Sequence, residues 1–323
     1  MQARAFWVVE PGRGEIRALE LARPRRDEVL VRTSFSAVSR GTEALVFTGH
    51  VPPSEFERMR CPHQDGSFSG AVKYGYSNVG RVLEGPPELE GKDVFCLFPH
   101  QTAYVVAASQ VVPLPAGVSP SRAVLAANVE TALNATWDAR PLAGDRVGVV
   151  GAGVVGALVA YLCAKIPGTH VTLIDVRPER AELARALGVR FSTPDAASGE
   201  RDLVFHASGN PAGLRTALSL ASRDSSVLEL SWFGDRDVTL PLGEAFHVRR
   251  LSLRSSQVGT VSPNARARYD HRARLALALE LCADPALDSL FTGESDFDEL
   301  PLLMLELANG SRAPLCHRLR YPS

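Results

Sequence analysis

The sequence predicts an α/β protein that combines a β-rich part with a doubly wound parallel sheet. Between residues 3 and 118, short stretches of β-prone residues are separated by turn residues. From residue 147 onward, apolar strand patterns alternate with helical ones, as is typical of a parallel sheet with helices on both faces. The glycine pattern G-x-G-x-x-G stands where the first of these strands meets the first helix. These observations predict two parts of different architecture.

The composition limits the classes of function. The 323 residues are enough for two domains, each with its own core. The net charge is −1, with 35 Lys and Arg against 36 Asp and Glu and no dense basic block, which argues against nucleic acid or anionic membrane as a partner. No apolar run approaches the roughly 20 residues that a membrane helix requires. We therefore expect a cytoplasmic protein with a small-molecule substrate.

The five cysteines support an intracellular location. Their number is odd, they are widely separated, and no C-x-x-C pair occurs. This pattern is typical of reduced thiols and not of a disulfide or zinc framework.

The β-rich part contains a helix, a long loop and a final helix start. Residues 42–49 favour a short helix, whereas residues 51–71 contain three prolines and no periodicity, which predicts a loop. Ser119 followed by Pro120 predicts the start of a helix that runs to Asp138.

The second part has the regular alternation of a doubly wound sheet. The predicted elements, in order, are strand 147–150, helix 153–165, strand 170–174, helix 178–187, strand 202–208, helix 211–221, and strands at 226–232 and 251–256. Two further helical patterns and a strand-like segment at 315–321 follow.

The glycine motif predicts a dinucleotide site. Gly151 allows the tight strand-to-helix turn, Gly153 lets a pyrophosphate approach the backbone, and Gly156 lets helix and sheet pack closely. Val154 and Val155 begin the helix, whose unpaired N–H groups would face the phosphates. Strand, turn, helix and second strand occur in register, which favours a Rossmann dinucleotide site over an unrelated glycine-rich turn.

Asp175 ends the second strand, 175 − 156 = 19 residues after the last glycine. A carboxylate there would accept hydrogen bonds from the adenosine ribose hydroxyls and would repel a 2′-phosphate. The sequence therefore favours NAD(H) over NADP(H). Arg177 and Arg180 follow closely and weaken that preference in principle.

The order of these parts resembles the medium-chain dehydrogenase/reductase superfamily across nearly the whole chain. The segments SRGTE, KYGYSNVGRV, FPHQTAYVV, GEAFHVRRLSLRSSQVG and CHRLRY further resemble the branch that contains bacteriochlorophyllide dehydrogenases. The resemblance implies a GroES-like β-rich catalytic domain, residues 1–128 and 257–323, and a Rossmann domain, residues 129–256. It also implies an alcohol dehydrogenase-like enzyme and a possible homodimer formed through the last Rossmann strand.

The zinc ligands of that superfamily are missing from the matching positions. Ser39, Tyr76 and Ala127 stand where zinc alcohol dehydrogenases have their three catalytic ligands, and the four-cysteine structural lobe is absent. Cys61 and His63 are two residue types that bind zinc, but their spacing matches no familiar site. We therefore expect no bound metal.

Without zinc, side chains must stabilise charge on the substrate oxygen and move a proton. Ser39, Tyr76 and His100 are the candidate catalytic residues, because the resemblance places the first two at lost ligand positions and histidine is a proton shuttle near neutral pH. The alternative is that Tyr76 fills the space of the lost ligand and that His100 only ends a strand.

Several other polar residues are candidates for cofactor contacts: Arg40, Thr131, His206, Ser208 and Ser256. Glu130, in contrast, is interpreted as a partly exposed helical residue.

These patterns together predict an NAD(H)-dependent, zinc-independent oxidoreductase that interconverts an alcohol and a carbonyl. A quinone or enone reductase and a dinucleotide-binding protein without turnover remain as alternatives.

Overall fold

The computed structural model describes residues 1–322, which form two compact units. The first unit contains Met1–Ala127 and the chain from Leu275 onward, and the second contains Asn128–Arg274.

The structure contains eight α-helices and seventeen β-strands within residues 1–322. The helices are α1 (Arg40–Phe47), α2 (Pro120–Ala123), α3 (Ala126–Ala139), α4 (Val154–Ala164), α5 (Arg180–Ala186), α6 (Pro211–Leu220), α7 (His271–Leu281) and α8 (Leu300–Asn309). The strands are β1 (Gln2–Glu10), β2 (Arg13–Glu20), β3 (Glu28–Val38), β4 (Asp65–Gly66), β5 (Val72–Lys73), β6 (Asn78–Glu84), β7 (Asp93–Cys96), β8 (Ala103–Ala107), β9 (Val112–Pro113), β10 (Arg146–Val150), β11 (His170–Ile174), β12 (Arg190–Ser192), β13 (Arg201–His206), β14 (Ala221–Glu229), β15 (Ser252–Ser255), β16 (Phe291–Asp296) and β17 (Cys316–Arg320).

The first unit is built from two sheets. A seven-stranded sheet has the order β16-β17-β3-β6-β7-β9, with β8 paired to β3, and a four-stranded sheet has the order β2-β1-β5-β4. All their pairings are antiparallel except that of β16 with β17. Alternate residues of β3 point inward, so that Val29 and Val31 pack with Val82, Val94 and Tyr104 in a core cluster. The predicted β-rich part is therefore present.

The second unit is a six-stranded parallel sheet with helices packed against it. Its strand order is β12-β11-β10-β13-β14-β15, so the chain moves outward from β10 first in one direction and then in the other. Ligands of such sheets bind at the carboxyl ends of the strands, where the order reverses between β10 and β13. The predicted α/β fold class with a doubly wound sheet is confirmed.

The helix predicted to run from Ser119 to Asp138 is divided into α2 and α3. The predicted N-cap is correct, since Ser119 Oγ accepts a hydrogen bond from the Arg122 N–H. In the other segment predicted without regular structure, residues 51–71, the structure contains the short strand β4.

Residues 257–274 pack with the second unit, although the sequence-based boundary assigns them to the first. Arg274 explains this grouping. Its side chain, 2% exposed, donates to Glu130 Oε1 (2.9 Å), Asn134 Oδ1 (2.6 Å) and the Val258 carbonyl (2.6 Å). One buried guanidinium thus connects the segment before α7 to α3.

Within residues 1–322, no helix combines the length and the apolar composition needed to cross a membrane.

Candidate active site

The glycine-rich turn of the second unit has the geometry of a pyrophosphate site. Gly151 has φ +107°, and a Cβ there would lie 2.6 Å from the Ser208 backbone nitrogen. A Cβ on Gly156 would lie 1.9 Å from the Gly151 carbonyl oxygen, whereas one on Gly153 would meet no atom within 4 Å. A phosphate-binding turn needs glycines where the backbone packs closely, as at Gly151 and Gly156, and open space where the phosphate approaches, as at Gly153. The first N–H groups of α4, at Val154 and Val155, are those that lack helical acceptors.

Asp175 directly follows β11 and touches the same turn. Its Oδ2 accepts from the Ala152 N–H at 2.7 Å, and its Oδ1 accepts from the Arg177 N–H at 3.0 Å. These two bonds fix the carboxylate beside the glycine-rich turn while each oxygen keeps a further lone pair. The residues therefore fit a dinucleotide whose ribose hydroxyls donate to Asp175.

Two arginines lie close to this carboxylate. Burial first, and then the positive charge of Arg177, lowers the pKa of the Arg180 guanidinium, whereas Asp175 acts in the opposite direction. The end of β11 thus carries one carboxylate and two nearby cations.

His206, Ser208 and Glu229 form a hydrogen-bonded chain at the carboxyl ends of β13 and β14. His206 is fully buried, and its Nε2 lies 2.6 Å from Ser208 Oγ while its Nδ1 lies 2.7 Å from Glu229 Oε2. Glu229 Oε1 also accepts from the Ser231 N–H (2.6 Å), so both carboxylate oxygens and both His206 ring nitrogens have partners. Ser208 packs directly on Gly151, so this chain borders the glycine-rich turn.

The remaining cofactor candidates are placed in different ways. Thr131 is half-buried on α3, and Arg40 is half-buried at the start of α1 in the first unit. Ser256 donates from its hydroxyl to Asp138 Oδ2 at 2.6 Å. The interpretation of Glu130 as partly exposed is wrong, because it is 4% exposed and paired with Arg274. Burial raises the pKa of the Glu130 carboxyl, and Arg274 opposes that effect.

A second buried network, in the first unit, surrounds His100. His100 is 1% exposed; its Nδ1 lies 2.8 Å from Ser36 Oγ and its Nε2 lies 2.8 Å from Glu43 Oε2. Ser36 Oγ lies 2.9 Å from the Tyr321 hydroxyl, and Glu43 Oε1 accepts from the Ser39 N–H at 2.7 Å. The carboxylate therefore both orients His100 and accepts an N–H at the start of α1, where an anion is stabilised.

Tyr76 and Ser39 are half-buried beside this network. Burial first, and then the negative Glu43 carboxylate, raises the pKa of the Tyr76 phenol. The side chains of Ser39 and Thr42 hydrogen bond with the phenol and act in the opposite direction. The arrangement brings the candidates Tyr76 and Ser39 into hydrogen-bond contact. His100 is linked to Ser39 through Glu43, and both of its ring nitrogens already have partners.

Cys61 and His63 are held in an apolar setting. Burial raises the pKa of the Cys61 thiol to about 12, and burial together with Lys73 lowers the pKa of the His63 imidazole. The His63 ring lies 5.1 Å from the ring of Phe98. Among residues 1–322, no three His, Cys, Asp or Glu side chains are grouped so that they could hold a metal ion.

The sequence indicated some members of these networks but not their partners. Ser36 and Glu229 contact the candidates His100 and His206 directly, and Tyr321 contacts Ser36; none of the three was a candidate from the sequence. Glu229 and His206 are paired on the neighbouring parallel strands β13 and β14. The sequence predicted both strands but not that they are neighbours.

Comparison with known proteins agrees with this geometry. Residues 146–195 match the family described as 3-hydroxyacyl-CoA dehydrogenase, NAD binding domain. The chain is 27% identical over 151 residues to L-idonate 5-dehydrogenase (NAD(P)(+)) of Escherichia coli K12, covering 42% of this chain and 44% of the relative. It is 26% identical over 216 residues to 2-desacetyl-2-hydroxyethyl bacteriochlorophyllide A dehydrogenase of Cereibacter sphaeroides, covering 61% of this chain and 63% of that protein. The matches thus span less than two thirds of these curated relatives.

Solved structures extend the likeness to the whole fold. L-idonate 5-dehydrogenase from E. coli superposes with a TM-score of 0.79 at 16% identity, covering 99% of this chain and 98% of that one. 2R,3R-butanediol dehydrogenase from Bacillus subtilis superposes with a TM-score of 0.77 at 16% identity, covering 99% and 100%. The chain therefore has the GroES-like and Rossmann fold of the medium-chain dehydrogenase/reductase superfamily, and its sequence resembles the zinc-type alcohol dehydrogenases of that superfamily, including a bacteriochlorophyllide dehydrogenase.

Proposed function

We propose that this chain is an NAD(H)-dependent oxidoreductase that interconverts an alcohol and a carbonyl without zinc. The observation that carries the proposal is the glycine-rich turn with Asp175 bonded to the Ala152 N–H, open above Gly153. The match of residues 146–195 to an NAD-binding domain and the likeness to named dehydrogenases support it.

The second unit binds and orients the cofactor. The chemistry that NAD(H) supplies when bound is hydride transfer at its nicotinamide ring. The N–H groups of Val154 and Val155 receive the pyrophosphate at the positive end of α4, and Asp175 accepts hydrogen bonds from the adenosine ribose.

The first unit stabilises charge on the substrate oxygen. Tyr76 donates a hydrogen bond to that oxygen during carbonyl reduction, solvent water supplies the proton that the oxygen takes up, and Ser39 hydrogen bonds with the phenol. His100 is proposed as a positioning residue, because both its nitrogens are bonded and its side chain is buried. It holds Glu43, which in turn holds the Ser39 backbone.

Zinc independence follows from the residue types at the positions that match the superfamily's ligands. Tyr76 and Ser39 carry hydroxyl groups that bind zinc poorly compared with Cys, His or carboxylate, and Ala127 offers no side-chain ligand at all. A hydroxyl donor pair replaces the Lewis acid in this proposal.

A substrate panel tests the function. We expect the purified chain to oxidise NADH in the presence of members of an aldehyde and ketone panel. Turnover only with activated alkenes or quinones would favour the reductase alternative. NADH binding without turnover on any panel would favour a dinucleotide-binding protein without catalysis.

Cofactor choice gives the first prediction. Because Asp175 accepts ribose hydroxyls and repels a 2′-phosphate, NADH should bind at least roughly tenfold more tightly than NADPH, a difference of about 1.4 kcal/mol. Fluorescence titration of both cofactors measures this ratio. Asp175→Ser should narrow it, whereas Arg180→Gln should widen it. Equal affinities in the unchanged protein would show that Arg177 and Arg180 outweigh the carboxylate.

The edge strand β15 supports a homodimer. It ends the six-stranded sheet, and all four of its residues are exposed. An exposed edge can pair with a second copy of the same strand. Sedimentation of the purified chain tests this assembly. A dimer is the expected result, and a monomer at all concentrations would contradict it.

A further inference from the structure

The strand order of the second unit assigns the two halves of the cofactor to different strands. This step rests on the proposed NAD(H) site. Asp175 follows β11 and receives the adenosine ribose, while the glycine-rich turn after β10 receives the pyrophosphate. Since β13 and β14 lie on the other side of β10, their carboxyl ends would receive the nicotinamide half. His206 and Glu229 end those two strands.

A carboxylate at that position distinguishes the two redox forms of the cofactor. The nicotinamide ring carries a positive charge in NAD⁺ and none in NADH. The Glu229 side chain is 13% exposed, so its charge is only partly screened by water. The Ser231 N–H donates to Glu229 Oε1 at 2.6 Å, and Glu229 Oε2 lies 2.7 Å from His206 Nδ1, so both carboxylate oxygens have a fixed partner.

The other charged side chains at this edge are more exposed. Arg236 is exposed; its guanidinium lies 5.6 Å from the centre of the Phe233 ring and donates to the Gly209 carbonyl at 3.2 Å. Asp235 and Asp237 flank it and are also exposed. Glu229 is thus the least exposed of these four charges, and Arg236 opposes it.

We propose that Glu229 makes the second unit bind NAD⁺ more tightly, relative to NADH, than an uncharged residue would. Bound NADH is then the stronger reductant, because the oxidised form is the one that the carboxylate stabilises. His206 and Ser208 hold the carboxylate in place and border the glycine-rich turn.

The test is the ratio of two dissociation constants, Kd for NAD⁺ divided by Kd for NADH, measured by titration without any substrate. Glu229→Gln keeps the shape and the acceptor for His206 but removes the charge, and it should raise the ratio about five- to tenfold. A tenfold rise corresponds to a shift of about 30 mV in the midpoint potential of the bound two-electron couple. Arg236→Gln should change the ratio in the opposite direction by a smaller factor.

Asp224→Asn is the matched control. Asp224 lies on β14 as well, but near the opposite end, and is paired with Arg250 on the surface. The Asp224→Asn substitution should leave the ratio of the NAD⁺ and NADH dissociation constants unchanged. An unchanged ratio in Glu229→Gln, or a parallel loss of both affinities, would overturn the inference, while cofactor binding by the unchanged protein would still support the proposed function. Failure of the unchanged protein to bind either form would overturn the proposed function and the inference together.

Discussion

Tyr76→Phe should lower kcat on the order of 10²–10³-fold, about 2.7–4 kcal/mol of transition-state stabilisation. The phenol is proposed to donate a hydrogen bond to the substrate oxygen as negative charge develops there, and the substitution deletes only the hydroxyl. NADH affinity should stay the same, because Tyr76 is not among the proposed cofactor-binding residues. The measurement is kcat and Kd for NADH in parallel, once a turning-over substrate has been found.

Tyr74→Phe is the matched control. Its ring lies 6.0 Å from that of Tyr76, and burial raises the pKa of its phenol strongly as well. The Tyr74→Phe variant should retain nearly full activity, whereas the kcat of Ser39→Ala should lie between those of Tyr74→Phe and Tyr76→Phe. If Tyr76→Phe keeps near-parental kcat, the phenol only fills the space of a lost ligand.

Arg274→Met should destabilise the second unit by about 3–5 kcal/mol. The substitution leaves the Glu130 carboxylate buried without its cation, and it removes the donors to Asn134 and the Val258 carbonyl. Urea unfolding followed by circular dichroism measures the loss. Adding Glu130→Gln to Arg274→Met should restore part of the stability, since an uncharged amide costs less to bury than an unpaired charge.

Arg146→Met provides the comparison for that experiment. Arg146 pairs with Asp202 in the same unit, but both side chains are more than a third exposed. Exposed pairs contribute about 0–1 kcal/mol, so this variant should change stability little. Equal effects of the two arginine substitutions would contradict the role given to the buried pair.

The features that the sequence predicted correctly are local ones. The turn at Gly151, the position of Asp175 and the N-cap at Ser119 depend on residues close together in the chain. The alternation of strands and helices predicted the parallel sheet because a right-handed crossover permits few other topologies. Motif order along the chain likewise indicated the superfamily fold.

The buried networks escaped prediction because their members are distant in sequence. Ser36 and Tyr321 are separated by 285 positions, and Glu130 and Arg274 by 144. No spacing rule links such residues before the topology is known. The same reason explains why the sequence did not indicate Ser36 and Glu43 as the partners of the two His100 ring nitrogens.

Zinc-independent catalysis is tested by the rate of NADH-dependent carbonyl reduction before and after exhaustive chelation, with the metal content determined on the same samples. Because hydroxyl donors at Tyr76 and Ser39 are proposed to take the place of a metal, we expect an unchanged rate in protein without stoichiometric metal. Loss of activity on chelation, with recovery on addition of zinc, would contradict it and would make Cys61 and His63 the first ligands to replace.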